Sequence, residues 1–277
     1  MQNSYQFIHF ETFADVPRKN SKRPSAEAVA RECQRKENSS PHITQPQAPL
    51  LLYGVQPLEA LDKARLLASN SKDSLGRKIR KDAQIIGFGV ASIKIEATLE
   101  NWQSSEVQLW VSDTKKFLKD QLGDSFVSLE AHLDERWIHL HFGSTPKLND
   151  DGSINLTSFH PGLEAQRACK SNKKSTKDHA YKSAMRSFQD NYYEAVGLKH
   201  GQLRFGPKRR RLSRSEWYAQ RNYASLLAKI FNSQNNLISS LKNKVKSAKA
   251  ILSELLPSKR SKKNHLPFQT KDFNSND

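Results

Sequence analysis

Cysteine and long apolar segments are both scarce in this sequence. Among its 277 residues only Cys33 and Cys169 are cysteines, and they form no Cys-x-x-Cys pair. Two thiols exclude a disulfide framework and fit a reducing cytosol, with a single disulfide in a secreted protein as the alternative. No apolar run reaches the ~18 residues that a membrane span needs, and the N-terminus lacks a charged start followed by an apolar stretch. We therefore expect a cytoplasmic protein with neither a membrane span nor a signal peptide.

Acidic residues are few relative to basic ones. The chain has 28 Asp and Glu against 45 Lys and Arg, which gives a formal net charge of +17. Such an excess attracts polyanions, and nucleic acid is the first candidate, with an affinity that should fall steeply as the salt concentration rises. An anionic membrane surface is the alternative. Hydrophobic residues make up 36% of the chain, which predicts a core with polar extensions.

Strand and helix patterns are mixed along most of the chain. Alternation of apolar and polar residues, or enrichment in β-branched and aromatic residues, predicts strands over 4–13, 83–96, 125–132 and 137–143. The last two are predicted to form a β-hairpin. Helical spacing predicts helices over 25–37, 58–69 and 104–123, with a mostly helical segment over 161–199. Prolines punctuate residues 41–57, which we predict to be loop. The mixture indicates an α+β fold.

The C-terminal part of the chain predicts one long helix. Its apolar residues recur at alternating spacings of four and three, which is typical of a coiled coil, and Gln234 is the only polar member of the seam. A single helix packed on its own domain is the alternative. We expect a main domain over 1–212, a helical oligomerisation segment over 213–257 and a disordered basic tail over 258–277. The apolar positions are Leu227, Phe231, Ile238, Leu241, Val245, Ala248, Leu252 and Leu255.

Five candidate metal ligands or acid–base groups lie within ten residues: His132, Asp134, Glu135, His139 and His141. His139 and His141 are two apart on a predicted strand, so both imidazoles project from one face. Three imidazoles with open coordination positions suit Mn²⁺, Zn²⁺ or Ni²⁺, and a metal held in this way can polarise a phosphate oxygen. Asp134 or Glu135 can orient a histidine. The alternative is a half-exposed strand with ordinary surface histidines.

This spacing differs from the helical His-Glu-x-x-His site of zinc proteases, because Glu135 precedes His139 by four and the flanks are strand-like. It resembles instead the Mob/Pre (MobV) family of plasmid mobilisation relaxases, whose signature is His-x-Asp-Glu-x-x-Pro-His-x-His. Ile138 stands where that family has proline. Arg80-Lys81-Asp82-Ala83 is similar to a second family segment. The resemblance extends loosely over residues 4–215.

The resemblance implies an HUH-type fold, an antiparallel sheet with helices on one side. It implies nicking of one DNA strand at an origin of transfer, single-stranded or supercoiled, with a covalent link to the 5′ phosphate. His132, His139 and His141 would hold a divalent metal, Mn²⁺ or Mg²⁺ first, and Glu135 would assist. A homodimer through the C-terminal helix and a coupling protein are candidate partners. A replication initiator, a single-strand transposase or a non-catalytic DNA-binding relative is the alternative.

The nucleophile is where this chain departs from the family. Many members carry a histidine in an early helix with an arginine three residues later, and the matching positions here are Glu32 and Arg35. The resemblance therefore implies that Glu32 attacks phosphorus to give an acyl phosphate while Arg35 steadies the phosphate. An ordinary surface ion pair between the two is the alternative. His42, Tyr53 and Cys33 are rival nucleophiles.

Basic clusters and one aromatic residue are candidate DNA contacts. The clusters suit contacts to the phosphate backbone, with solvated loops as the alternative. Trp137 lies between the expected metal ligands, where it would stack a base of single-stranded DNA or else cap the hairpin core. The two clusters are Arg77, Lys78, Arg80 and Lys81, and Lys208, Arg209, Arg210 and Arg211.

Overall fold

A five-stranded antiparallel sheet lies at the centre of the computed structural model, which describes residues 4–205 and 214–255. Its five strands are β1 (Phe7–Ala14), β2 (Leu50–Gly54), β3 (Gln84–Glu96), β4 (Phe126–His132) and β5 (Trp137–Ser144). The strand order is β1-β3-β5-β4-β2, so the β4–β5 hairpin lies inside the sheet. Lys147–Leu148 and Ile154–Asn155 form a separate small ladder.

Seven α-helices accompany the sheet in the described residues. Serine caps define two of the starts: Ser25 accepts a hydrogen bond from the Ala28 N–H, and Ser104 accepts one from the Val107 N–H. A 3₁₀ turn at Gly123–Ser125 and a π-helical turn at Tyr193–Gly197 complete the helical segments. The α-helices are α1 (Ala26–Cys33), α2 (Pro57–Asn70), α3 (Leu99–Gln103), α4 (Ser105–Leu122), α5 (Pro161–Ala168), α6 (Lys174–Tyr192) and α7 (Arg214–Leu255).

The predicted α+β fold is confirmed, but the prediction of a loop over 41–57 was wrong in part. Leu50–Gly54 forms strand β2, which pairs with β4 at the edge of the sheet. Its Leu50 and Leu51 side chains are exposed, so the strand lacks the buried alternation that marks an internal strand. Its pairing partner lies far along the chain, and a local pattern carries no information about such a partner.

The core is divided between the two faces of the sheet. Ile138, Leu140 and Phe142 face a cluster that contains residues of α4 and α6, among them Trp110. Residues of α1 and α2 pack with Ile86 and Phe88 in a second cluster. The expectation of helices on one side only was therefore wrong. Because α1 lies on the second face, its C-terminal end reaches the side of β5 that carries the histidines.

The C-terminal helix α7 runs from Arg214 to Leu255. The chain divides into two compact units after Ile230. Three earlier predictions lie outside the described residues: the domain boundary after residue 212, the basic cluster Lys208–Arg211 and the tail over 258–277. Along the predicted seam, Ile238, Leu241, Val245 and Leu252 are exposed. No helix among the described residues is long and apolar enough to cross a membrane.

Candidate metal centre

The three histidines of the sequence motif meet on one face of the β4–β5 hairpin. The antiparallel register places His132 opposite His139 and Glu130 opposite His141. Since side chains alternate along a strand, Ile138 and Leu140 point to the buried core on the other face. The ring centroids are 4.3 to 5.2 Å apart. One nitrogen from each ring can be chosen so that all three lie within 4.8 Å of one another.

The other contacts of the rings indicate which nitrogens are available to a shared ion. His139 Nδ1 lies 3.0 Å from the Trp137 carbonyl oxygen, and His141 Nδ1 lies 3.3 Å from Cys33 Sγ. His132 Nε2 lies 3.4 Å from Glu130 Oε1. Its Nδ1 is buried and has no hydrogen-bond partner among the described residues. An orphaned imidazole nitrogen beside two available ones fits a divalent metal, because a ligand ion would satisfy it.

Burial keeps His132 and His141 in the form that binds metal. It lowers the pKa of His132 to about 2, with a further contribution from the charge of Arg35. Burial and the neighbouring histidines lower the pKa of His141 well below its usual value. Burial also raises the pKa of Glu130 to about 8. The imidazoles of His132 and His141 are therefore neutral at physiological pH, and a neutral imidazole is the species that coordinates a metal.

A buried ion-pair network joins the end of α1 to the loop of the hairpin. Arg35 follows the helix with φ +52°, and its side chain is only 3% exposed. Its Nε and Nη2 donate to the two oxygens of Asp134 at 2.8 and 3.1 Å, and Nη2 also donates to Glu135 at 2.7 Å. Burial alone would raise the pKa of Asp134, but the hydrogen bonds from Arg35 and the Gln47 N–H, together with the charge of Arg35, leave that pKa below its usual value. The backbone N–H of Gln47 also donates to Asp134.

A family model described as "plasmid recombination enzyme", Mob_Pre, matches residues 62–220. The chain belongs to the Mob/Pre family. The match contains the three histidines, Asp134, Glu135 and the Arg80–Ala83 segment, whereas Glu32 and Arg35 precede it. Because the match covers more than half of the chain, it confirms the resemblance seen in the motifs.

The solved structures that resemble this Mob/Pre chain are distant in sequence. One is a Mn-bound MobM relaxase domain (MOBV; Mob_Pre) with plasmid oriT DNA at 13% identity and a TM-score of 0.47, covering 78% of this chain and 98% of that one. A second MobM relaxase domain with oriT DNA is 14% identical, with a TM-score of 0.44, and the match covers 77% of this chain and 99% of that one. A structure described as the molecular basis of vancomycin resistance transfer in Staphylococcus aureus is 13% identical, with a TM-score of 0.31, and the match covers 69% of this chain and 93% of that one. No curated protein matches the sequence.

Glu32, the expected nucleophile of this Mob/Pre chain, lies in the last turn of α1. Its side chain is half-buried, and its carboxylate has no hydrogen bond or ion pair among the described residues. The alternative of an ion pair with Arg35 was wrong: Arg35 contacts Glu32 only through the backbone carbonyl, at 3.3 Å. The phosphate-binding role expected for Arg35 stays a prediction. In this structure its guanidinium donates to Asp134 and Glu135.

The three rival nucleophiles occupy different surroundings. Tyr53 stacks on Phe126 with ring centroids 4.8 Å apart and belongs to the core on the face opposite the histidines. Cys33 contacts His141, but burial raises the pKa of its thiol well above the usual value, so it is a poor nucleophile at neutral pH. His42 is exposed and lines a cleft with Asp134 and Glu135. Of the three, only His42 is both exposed to solvent and close to the hairpin loop.

Trp137 lies in a cleft beside the histidines. The Arg136 guanidinium carbon lies 4.6 Å from the centroid of the Trp137 ring and the Lys94 ammonium 6.0 Å, so two cations flank it. The cleft has a volume of about 360 Å³ and is lined by Phe7, Val90, Ser92, Glu135, Arg136, Trp137, His139 and His141. Its aromatic and cationic lining is of the type that accepts single-stranded nucleic acid.

The first basic cluster is partly neutralised. Arg77 forms an ion pair with Asp73, and Arg80 forms one with Asp82. Lys78 and Lys81 line a separate cleft of about 670 Å³, and neither ammonium has an ion pair among the described residues. The lysines are therefore the cations of this cluster that are available to phosphate.

Two buried neighbours of the histidines were not identified as such from the sequence. Glu130 precedes His132 by two on β4, so period-two alternation was the signal that could have placed it on the same face. Cys33 was considered only as a rival nucleophile. Its contact with His141 joins residues 108 positions apart, and no local pattern carried that information.

Proposed function

We propose that this Mob/Pre chain is a metal-dependent relaxase that nicks one strand of plasmid DNA at an origin of transfer. The observation that carries the proposal is the cluster of three histidines with a buried, unpartnered Nδ1 on His132. The net charge of +17 supports DNA as the substrate. The oriT DNA present in the MobM structures is consistent with this substrate.

His132 through Nδ1, and His139 and His141 through Nε2, would hold the ion. A divalent ion bound there would supply Lewis-acid polarisation of a phosphate oxygen. Mn²⁺ is the first candidate and Mg²⁺ the second, with Zn²⁺ and Ni²⁺ as further alternatives. Glu135 Oε1 lies 3.5 Å from His139 Nε2, so this carboxylate would accept a hydrogen bond from a water bound beside the ligands.

Glu32 is the nucleophile in this proposal. One carboxylate oxygen attacks the scissile phosphorus, the bond between phosphorus and the 3′ oxygen breaks, and that oxygen leaves as a hydroxyl after taking a proton from solvent. The product is an acyl phosphate that links the protein to the 5′ end. Attack by the 3′ hydroxyl in reverse rejoins the strand. The position of Glu32 supports this role, because the residue that follows it contacts the ligand His141.

Arg35 acts as a positioning residue in this scheme. By holding Asp134 and Glu135 it fixes the hairpin loop against the end of α1, and it thereby sets the separation between Glu32 and the histidines. Trp137 and the cleft around it would bind unpaired bases next to the scissile phosphate. The basic clusters at 77–81 and 208–211 would bind the phosphate backbone.

The C-terminal helix completes the proposed organisation. We assign residues 1–212 to the relaxase domain, 213–257 to oligomerisation and 258–277 to a basic tail. The exposed Ile238, Leu241 and Val245 support a homodimer, because apolar side chains at heptad spacing are stabilised by burial against a second copy. A coupling protein would be a further partner during transfer.

A covalent-adduct assay tests the proposed function. Full-length protein is incubated with Mn²⁺ and labelled single-stranded DNA from the region flanking its gene, and adducts are separated on a denaturing gel. We expect an adduct with the wild type, none with Glu32→Gln, and wild-type amounts with Glu37→Gln, an exposed glutamate just beyond the helix. Hydroxylamine should release the DNA, since it cleaves acyl phosphates.

Three results would contradict the proposal. An adduct that persists in Glu32→Gln but disappears in His42→Ala would transfer the role to His42. An adduct that forms equally in the presence of a chelator would exclude the metal. Binding without an adduct on any DNA from the flanking region would identify a DNA-binding relative that has lost catalysis.

A further inference from the structure

Two buried side chains with no part in the proposed reaction contact the outer edges of the histidine cluster. Cys33 is 2% exposed and its Sγ lies 3.3 Å from Nδ1 of His141. Glu130 is also 2% exposed and its Oε1 lies 3.4 Å from Nε2 of His132. Each contacts the ring nitrogen that is not a ligand in the proposed set.

We infer that Cys33 and Glu130 are positioning residues that hold His141 and His132 with His141 Nε2 and His132 Nδ1 directed at a common divalent ion. The inference rests on the proposed function for the presence of the metal. It adds the two groups that determine which nitrogen of each ring is available to it.

The chemistry of the contacts explains how they act. A neutral imidazole that coordinates through one nitrogen carries its proton on the other, and that N–H requires an acceptor when it is buried. The carboxyl oxygen of Glu130 can accept from His132 Nε2–H, and the Cys33 sulfur can accept, more weakly, from His141 Nδ1–H. If either ring turned over, it would present carbon to the ion and leave the buried acceptor unsatisfied.

The contact of Cys33 also positions the end of helix α1. Cys33 is the last residue of α1 and follows Glu32 directly. The contact between Cys33 and His141 therefore fixes the end of the helix that bears the proposed nucleophile against the metal ligands. Arg35 makes the second attachment, through Asp134. Together the two contacts hold the end of α1 to strand β5 and to the hairpin loop.

Metal titration of the full-length, metal-free protein tests the inference without DNA. Mn²⁺ affinity is measured by calorimetry, and the visible absorption of bound Co²⁺ reports ligand geometry. Cys33→Ala removes the acceptor, whereas Cys33→Ser retains one. We expect about 10- to 100-fold weaker Mn²⁺ binding and an altered Co²⁺ spectrum in Cys33→Ala, with substantial recovery in Cys33→Ser. Cys169→Ala, the change at the other cysteine, should match the wild type.

Glu130 is tested in the same way. Glu130→Gln keeps an oxygen acceptor and should bind Mn²⁺ within a few-fold of the wild type, while Glu130→Leu should lose affinity by about 10- to 100-fold. Thermal unfolding of each metal-free variant shows whether the fold is intact. If Cys33→Ala and Glu130→Leu bind Mn²⁺ as the wild type does, with the same Co²⁺ spectrum, the inference is wrong.

Equal losses in Cys33→Ser and Cys33→Ala would also overturn the role of Cys33, because they would show that the thiol acts through packing alone. A wild-type protein that binds neither Mn²⁺ nor Co²⁺ would overturn both the inference and the proposed metal site. A wild type that binds metal but forms no DNA adduct would contradict the proposed function alone.

Discussion

Arg35 and Asp134 form a two-pronged ion pair in which both carboxylate oxygens accept from one guanidinium, at 2.8 and 3.1 Å. The residues are 99 positions apart, and their side chains are 3% and 1% exposed. The planar fork of arginine matches a carboxylate in a way that lysine cannot. The pair thus joins the helix that carries the proposed nucleophile to the loop between the proposed metal ligands.

Replacement of one member of this pair should be costly. Arg35→Met leaves Asp134 buried without its partner cation, so we expect the free energy of unfolding to fall by about 3–5 kcal/mol. Arg35→Lys should recover only part of the loss. Chemical denaturation of the metal-free protein measures the change. As a control, Arg77→Met removes an ion pair that is largely exposed and should cost under about 1 kcal/mol; equal losses at the two positions would contradict the prediction.

The buried His160 should make stability depend on pH. It caps α5 by accepting from the Gly162 N–H, and its Nε2 lies 3.3 Å from the Phe10 carbonyl oxygen. Burial lowers its pKa to about 4, against 6.5 for an unperturbed histidine. The unfolded chain therefore takes up the proton first. The stabilisation that neutral His160 provides is complete above about pH 6.5 and decreases as the pH falls towards 4.

A comparison with His160→Asn, which keeps a capping oxygen but cannot titrate, isolates this effect. Between pH 7 and pH 5 the wild type should lose about 2 kcal/mol more of its free energy of unfolding than the variant does. His132 and His141 are present in both proteins, so their contributions cancel. Parallel pH dependence in the two proteins would show that His160 does not carry the effect.

Lys78 and Lys81 should contribute more to DNA binding than the paired Arg77 does. The slope of log K against log salt concentration is negative, and each phosphate contact that is lost reduces its magnitude by about 0.9. Lys78→Gln with Lys81→Gln should therefore reduce the slope by about 2, measured by fluorescence anisotropy over a salt series. Lys116→Gln, in an ion pair with Asp120 on α4, provides the control. An unchanged slope in the double variant would remove this cluster from the DNA interface.

The exposed seam of α7 should mediate self-association. Leu241→Glu places a charge at a seam position and should convert a dimer to a monomer, as measured by sedimentation equilibrium of the full chain. Asn243→Glu introduces the same side chain two positions away, on the outer face of the predicted heptad, and should leave the dimer intact. A wild-type protein that sediments as a monomer would exclude the coiled coil.

Several features were predictable from local pattern. Period-two alternation at 126–132 and 137–144 is enough to place His139 and His141 on one face and Ile138 and Leu140 on the other, because strand geometry alone determines it. The spacing of the five motif residues was also sufficient to indicate the family, and the family match confirmed it.

The surroundings of those residues depended on the tertiary structure. The sequence by itself determined the hairpin, its histidines and the long C-terminal helix, since all three follow from the period of neighbouring side chains. Only the fold decided that β2 pairs with β4, that Arg35 binds Asp134 instead of Glu32, and that Cys33 contacts His141. Each of these contacts joins distant segments, and the contacts of Arg35 and Cys33 follow from how α1 packs on the sheet, which no local periodicity records.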